Sequence, residues 1–219
     1  MLRLLFEKKG NAVWISHLDL MRLFQRAFKR AGFSLTHTQG YNPRPSVSIA
    51  LPLSVGVESC CELLDFELEG NVVSYEEICH RLNEGLVDGI QVLEVYSVGQ
   101  KIRDIAYLKC IVSFEYDNGV PENAVSDISE LFNREEIVVV KKGKNGLTEI
   151  NIIPMIQSVN ICHKAENTLE IEAVICCQNP SLNPMLLVSA METYLPDLKP
   201  SFSHCRRIEI YDRNHNIFR

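Results

Sequence analysis

Residues 2–32, LRLLFEKKGNAVWISHLDLMRLFQRAFKRAG, carry the change of period that decides the fold. Leu2 to Lys8 and Ala12 to Ile15 read as a strand and its continuation, and SHLD then starts a helix. Ser16 is placed as the N-cap. Asp19 takes the capping-box position, where its charge suits the positive end of the helix dipole. From Leu18 to Ala31, the residues Leu20, Phe24, Ala27, Phe28 and Ala31 follow the three-to-four spacing of an apolar stripe, and Gly32 closes the helix.

Outward from this helix, FSLTHT (33–38) alternates as a strand does, and QGYNPRPS (39–46) is a turn by composition. VSIALPLSVGVES (47–59) reads as extended, with breaks at Pro52 and Gly56. A strand over 61–70, a helix over 74–86 and a strand over 90–98 complete the first half. The second half repeats the outline. It has a strand at 106–116, a helix at 121–133, strands near 136–142, 147–153, 156–163 and 168–177, a helix at 182–194 and a strand at 203–211. The expectation is an α+β fold of two ferredoxin-like βαββαβ-type units, each an antiparallel sheet with helices on one face. The units are residues 1–100 and 101–219, divided at the polar stretch GQKIRD (99–104).

The chain has 219 residues, 46% hydrophobic, 8% aromatic and 23% charged, which excludes disorder, collagen and coiled coil. At this length roughly 70% of the unfolded surface is buried, so no metal or disulfide is needed to hold the core. Apolar runs such as Ile49 to Leu53 and Ile137 to Val140 fall far short of the ~20 residues of a membrane span. The opening MLRLLFEKKG is too charged and short for a secretory core. A cytoplasmic protein with no membrane association is therefore expected, its eight cysteines kept as free thiols.

Charge is unevenly spread. Residues 1–46 hold eight basic side chains (Arg3, Lys8, Lys9, Arg22, Arg26, Lys29, Arg30 and Arg44) against two acids, Glu7 and Asp19, for a net +6. The remainder stands at −12, so an anionic partner for the N-terminal segment and a solvated face near the chain's own acidic half are both open. Arg22, Arg26 and Arg30 recur at i, i+4 and i+8. Their guanidinium groups therefore line one ridge, separate from the apolar stripe.

Two further groups invite chemistry. His17, at the first helical position, is a candidate base or ligand as a neutral ring, or simply a packed residue; Asp19 is a candidate acid-base partner, or a cap paired with Arg22. Tyr41, Asn42 and Arg44 lie in a turn stiffened by Pro43 and Pro45, which is either a simple surface turn or a place where a held guanidinium suits a phosphate or carboxylate. The cysteines offer little, since Cys60-Cys61 and Cys176-Cys177 are adjacent pairs without tetrahedral zinc spacing. No phosphate loop, GxGxxG, HExxH, GxSxG or CxxxCxxC motif is present, and no metal site is expected.

SHLDLMR (16–22), the RAxxRAG helix end (26–32), GYNPRP (40–45) and PLxxGxxSxxE (52–62) together resemble the start of the radical SAM-linked protein family. The resemblance covers about residues 5–68, with an NPxxL segment at Asn183 to Leu187 in the second half. It departs from the family pattern at Tyr41 and Arg44, where Phe and His are usual. In that family the domain stands beside, or is fused to the end of, a radical SAM protein with a cobalamin-binding region. The resemblance thus implies a radical SAM partner that carries the iron-sulfur cluster, S-adenosylmethionine and cobalamin, with no cofactor in this chain.

Three functions remain in view. The first is an accessory protein that binds tRNA or ribosomal RNA and presents it to a radical SAM RNA-modifying enzyme. In that role Arg22, Arg26, Lys29 and Arg30 grip the backbone, and Tyr41, Asn42 and Arg44 touch a base or terminus. The second is an enzyme using His17 and Asp19 as acid and base. The third is a docking subunit whose arginines pair with acids of the radical SAM partner.

Overall fold

The apolar stripe read from Leu20 to Ala31 becomes the buried side of α1 (His17–Arg30), with Leu20, Phe24, Ala27 and Phe28 all out of solvent. In the computed structural model, which describes residues 1–70, 73–143 and 146–219, the chain divides into two compact units. The first comprises Met1–Ile102 with Arg219, the second Arg103–Phe218. The architecture is α+β, with mostly antiparallel sheet and four α-helices among the described residues.

In the first unit, β1 (Leu2–Lys8) leads to α1, then β2 (Val47–Ile49), β3 (Glu58–Phe66), α2 (Tyr75–Glu84) and β4 (Ile90–Ser97). The strands lie in the order β4-β1-β3-β2, each pair antiparallel. Leu4 and Phe6 of β1 and Leu64 and Phe66 of β3 alternate onto one face, because successive side chains of a strand point to opposite sides. That face packs with Phe24 and Phe28 of α1 and Ile78 and Leu82 of α2. Phe6 meets Phe24 edge-on at 4.8 Å, and Phe28 lies 4.8 Å from Phe66. Asn83 fastens α2 to β4, accepting from the Val92 amide (2.8 Å) and donating to its carbonyl (2.9 Å).

In the second unit, β5 (Ile105–Glu115), α3 (Ala124–Phe132), the hairpin β6 (Val138–Gly143) and β7 (Gly146–Asn151), β8 (Ile156–Ala165), β9 (Thr168–Cys176), α4 (Met185–Tyr194) and β10 (Phe202–Asp212) follow in turn. Here the order is β10-β5-β9-β8, again antiparallel throughout. Val112 faces Ile171 and Phe114 faces Leu169 across β5 and β9, forming a buried apolar layer. No helix among the described residues is long and apolar enough to cross a membrane.

Three segments depart from the conformation their sequence suggests. Residues 12–15 do not continue β1: Gly10 adopts φ +56, a left-handed conformation that suits glycine, and Gly10–Trp14 form a 3-10 turn. Residues 33–38 form only isolated bridges, Leu35 to Leu68 and His37 to Pro45, because the 39–46 turn folds back on this segment. The stretch from 47 to 59 keeps regular pairing only over β2 and the start of β3, since Leu51 takes φ +48 ahead of Pro52.

Candidate functional site

The start of α1 is built from below by a buried cation. Lys8, 1% exposed, donates from Nζ to the carbonyl oxygens of Val13 (3.2 Å) and Ile15 (2.8 Å). These bonds tie the turn before the helix to the end of β1, since an ammonium taken out of water must find acceptors. Burial pushes the Lys8 pKa below its usual value, and the negative charge of Glu62 opposes that shift.

The same turn holds Trp14 outward, 70% exposed. Its ring lies against Gly56, where a Cβ would stand 3.5 Å away, and the Gly56 amide donates to the Val13 carbonyl at 3.0 Å. Leu18 and Val55 are exposed beside these residues in the chain. The apolar run at 12–15 puts Trp14 inside a strand by pattern; the signal that locates it is Gly10-Asn11, a turn pair that ends the strand before it.

Ser16 caps the helix, its hydroxyl oxygen accepting from the Asp19 amide at 3.2 Å. The same hydroxyl donates to Asp19 Oδ2 at 2.7 Å, and Arg22 Nη1 donates to Oδ1 at 2.9 Å. The Ser16 hydroxyl first, and Arg22 second, hold the Asp19 carboxyl below the usual carboxylate range. Such a carboxylate stays ionised and is a poor proton donor at neutral pH. His17 is half-buried and shares no hydrogen bond with Asp19 among the described residues.

Along α1 the basic residues part company. Arg22 is engaged with Asp19. Arg30 donates to the Gly85 carbonyl at the end of α2. Arg26 and Lys29 are exposed, and neither makes a hydrogen bond or ion pair among the described residues.

The 38–44 loop is closed at its base, where the Thr38 amide donates to the Arg44 carbonyl (2.8 Å) and the Arg44 amide to Thr38 Oγ1 (3.0 Å). Tyr41 stands fully exposed at its tip, with Asn42 and Arg44 exposed beside it. No hydrogen bond or ion pair links these three side chains to α1 among the described residues. Among the described residues the first unit thus offers Arg26 and Lys29 as unneutralised cations on α1, Arg44 on a closed loop, and the exposed rings of Trp14 and Tyr41. Cations of this kind attract phosphate, and exposed rings stack on bases.

All eight cysteines are free. Burial raises the Cys79 thiol and pushes Cys177 up to about 12; a hydrogen bond to Cys205 and burial raise Cys110. These thiols stay protonated at neutral pH and are inert as nucleophiles. Among the described residues no three His, Cys, Asp or Glu side chains gather in a metal-binding arrangement.

The fold resembles one chain of a Cbf5-Nop10-Gar1 complex, with a TM-score of 0.51 and 8% identity over 95% of this chain and 48% of that one. The protein therefore spans about half the length of that chain, and the likeness is one of fold. An unknown protein from Galdieria sulphuraria is similar at a TM-score of 0.27 and 9% identity, over 94% of this chain and 96% of that one. No curated protein matches in sequence. Residues 1–184 match the family DUF2344, described as "Uncharacterized protein conserved in bacteria". With most of its length covered by that match, the chain belongs to the DUF2344 family.

Proposed function

We propose that the protein is an accessory component that binds RNA and presents it to a radical SAM RNA-modifying enzyme. The observation that carries this reading is the pair Arg26 and Lys29, exposed and without an internal partner among the described residues, in a segment of net charge +6. An ion pair within the chain would have cancelled their attraction for phosphate; an open ridge retains it. Arg44 adds a third cation, while Tyr41 and Trp14 supply flat faces for unstacked bases. The strand order β4-β1-β3-β2 supports reading the first unit as ferredoxin-like, with β10-β5-β9-β8 giving the same permutation in the second. The radical SAM partner rests on the resemblance of residues 5–68, and it would hold the iron-sulfur cluster, S-adenosylmethionine and cobalamin.

An acid-base role for His17 and Asp19 draws less support, because the Asp19 carboxylate is occupied by Ser16 and Arg22. The test is a pull-down of the full chain from native cell extract, with RNA sequencing and protein identification on one eluate. The expected eluate holds a radical SAM protein together with tRNA or ribosomal RNA, and Arg26→Ala with Lys29→Ala removes the RNA alone. Recovery of the enzyme from the unaltered chain without RNA contradicts RNA presentation and favours a docking subunit. Recovery of neither overturns both.

A further inference from the structure

A second basic constellation lies wholly within the second unit. β5 and β10 run antiparallel with Tyr107 opposite Tyr211 and Ile105 opposite Asp212, so the start of one strand and the end of the other lie side by side. Arg103, just before β5, and Arg213, just after β10, are thereby brought to one cavity of about 420 Å³. Tyr107, Cys176, Gln178 and Pro180 also line it.

Both arginines are exposed, and neither makes a hydrogen bond or ion pair among the described residues. Arg213 sits on a firmly built turn. The buried Asp212 carboxylate accepts from the amides of Asn214 (2.8 Å) and Asn216 (2.9 Å), which fixes the loop without neutralising Arg213. His215, on the same turn, stacks on Tyr107 with ring centroids 4.4 Å apart and planes 9° from parallel. The phenol that lines the cavity is thus held in place before any ligand arrives.

We propose that this cavity binds a nucleotide, its phosphate between Arg103 and Arg213 and its base or sugar against Tyr107. Two guanidinium groups match the charge and hydrogen-bonding geometry of a phosphate, and the volume falls in the range of pockets for small molecules. The nucleotide is either a free monophosphate or the 5′ end of an RNA strand. This inference does not rest on the RNA reading of α1.

Titration calorimetry on the full chain tests it with AMP, adenosine, and one oligoribonucleotide with and without a 5′ phosphate. AMP is expected to bind more tightly than adenosine, and Arg213→Ala and Arg103→Gln each to weaken AMP by about tenfold or more. Arg26→Ala should leave AMP affinity unchanged, which separates this site from α1. If only the phosphorylated oligonucleotide gains over its unphosphorylated form, the source is an RNA end; if only AMP gains over adenosine, it is the free nucleotide. Equal affinities with and without phosphate, or affinities unmoved by both variants in chains that keep the parent circular dichroism, overturn the proposal.

Discussion

Arg30 and Arg81 cap each other's helices: Arg30, at the end of α1, donates to the Gly85 carbonyl that closes α2, and Arg81 of α2 donates to the Ala31 carbonyl that closes α1. The last carbonyls of a helix lack intrahelical donors and carry its negative dipole end, so a guanidinium satisfies both needs. Arg81 also lies over the Phe33 ring at 4.4 Å. Arg30 is therefore part of the scaffold, although it shares a stripe with Arg26.

Arg30→Ala is expected to lower stability by about 1–2 kcal/mol, the loss of a charged hydrogen bond at a helix end. The salt dependence of RNA binding should stay that of the parent protein. Urea denaturation gives the first quantity and a titration at several salt concentrations the second.

Lys8→Met removes the ammonium that donates to the carbonyls of Val13 and Ile15, leaving the Val13 carbonyl the Gly56 amide alone. A cost of about 1.5–3 kcal/mol follows from losing these charged hydrogen bonds. Because the folded pKa of Lys8 lies below 10.5, the unfolded chain binds more protons between the folded value and 10.5. Stability tied to this group rises with pH across that window, and the rise should vanish in Lys8→Met. Denaturation midpoints of the two proteins at several alkaline pH values measure the difference.

Asp19 should titrate below 3.8, and Ser16→Ala should move its midpoint upward more than Arg22→Ala does, following the order of their effects. The contribution of this carboxylate to the α1 cap is present above pH 3.8 and lost as pH falls through the lowered value. Carboxyl carbon shifts followed by NMR report the midpoint in each variant.

The sequence made α1 legible through local chemistry. A serine cap, an acid three residues on and an apolar stripe each act within one or two turns, and the Asp19–Arg22 pair follows from i, i+3 spacing. What separates Arg26 from Arg30 is not local. Gly85, 55 residues further along the chain, approaches Arg30 only after α2 has docked. Trp14 was hidden for a related reason. Its exposure depends on Gly10 turning left-handed and on Lys8 reaching inward, whereas a lysine in a strand ordinarily reads as facing water. At 33–38 the alternation is real, but the neighbouring segment meets it in single bridges rather than a ladder.

Trp14 is the chain's single tryptophan, so fluorescence reports directly on the exposed end of α1. Titration of the full chain with tRNA at several salt concentrations, followed by Trp14 emission and by mobility shift, tests the phosphate-gripping role of α1 most directly. Binding should weaken steeply with salt. Arg26→Ala with Lys29→Ala should lower affinity and flatten the log–log slope by about 1.4, the release expected for two single-strand phosphate contacts. Binding absent at low salt, or a slope unchanged in the double variant, would rule out that role for α1.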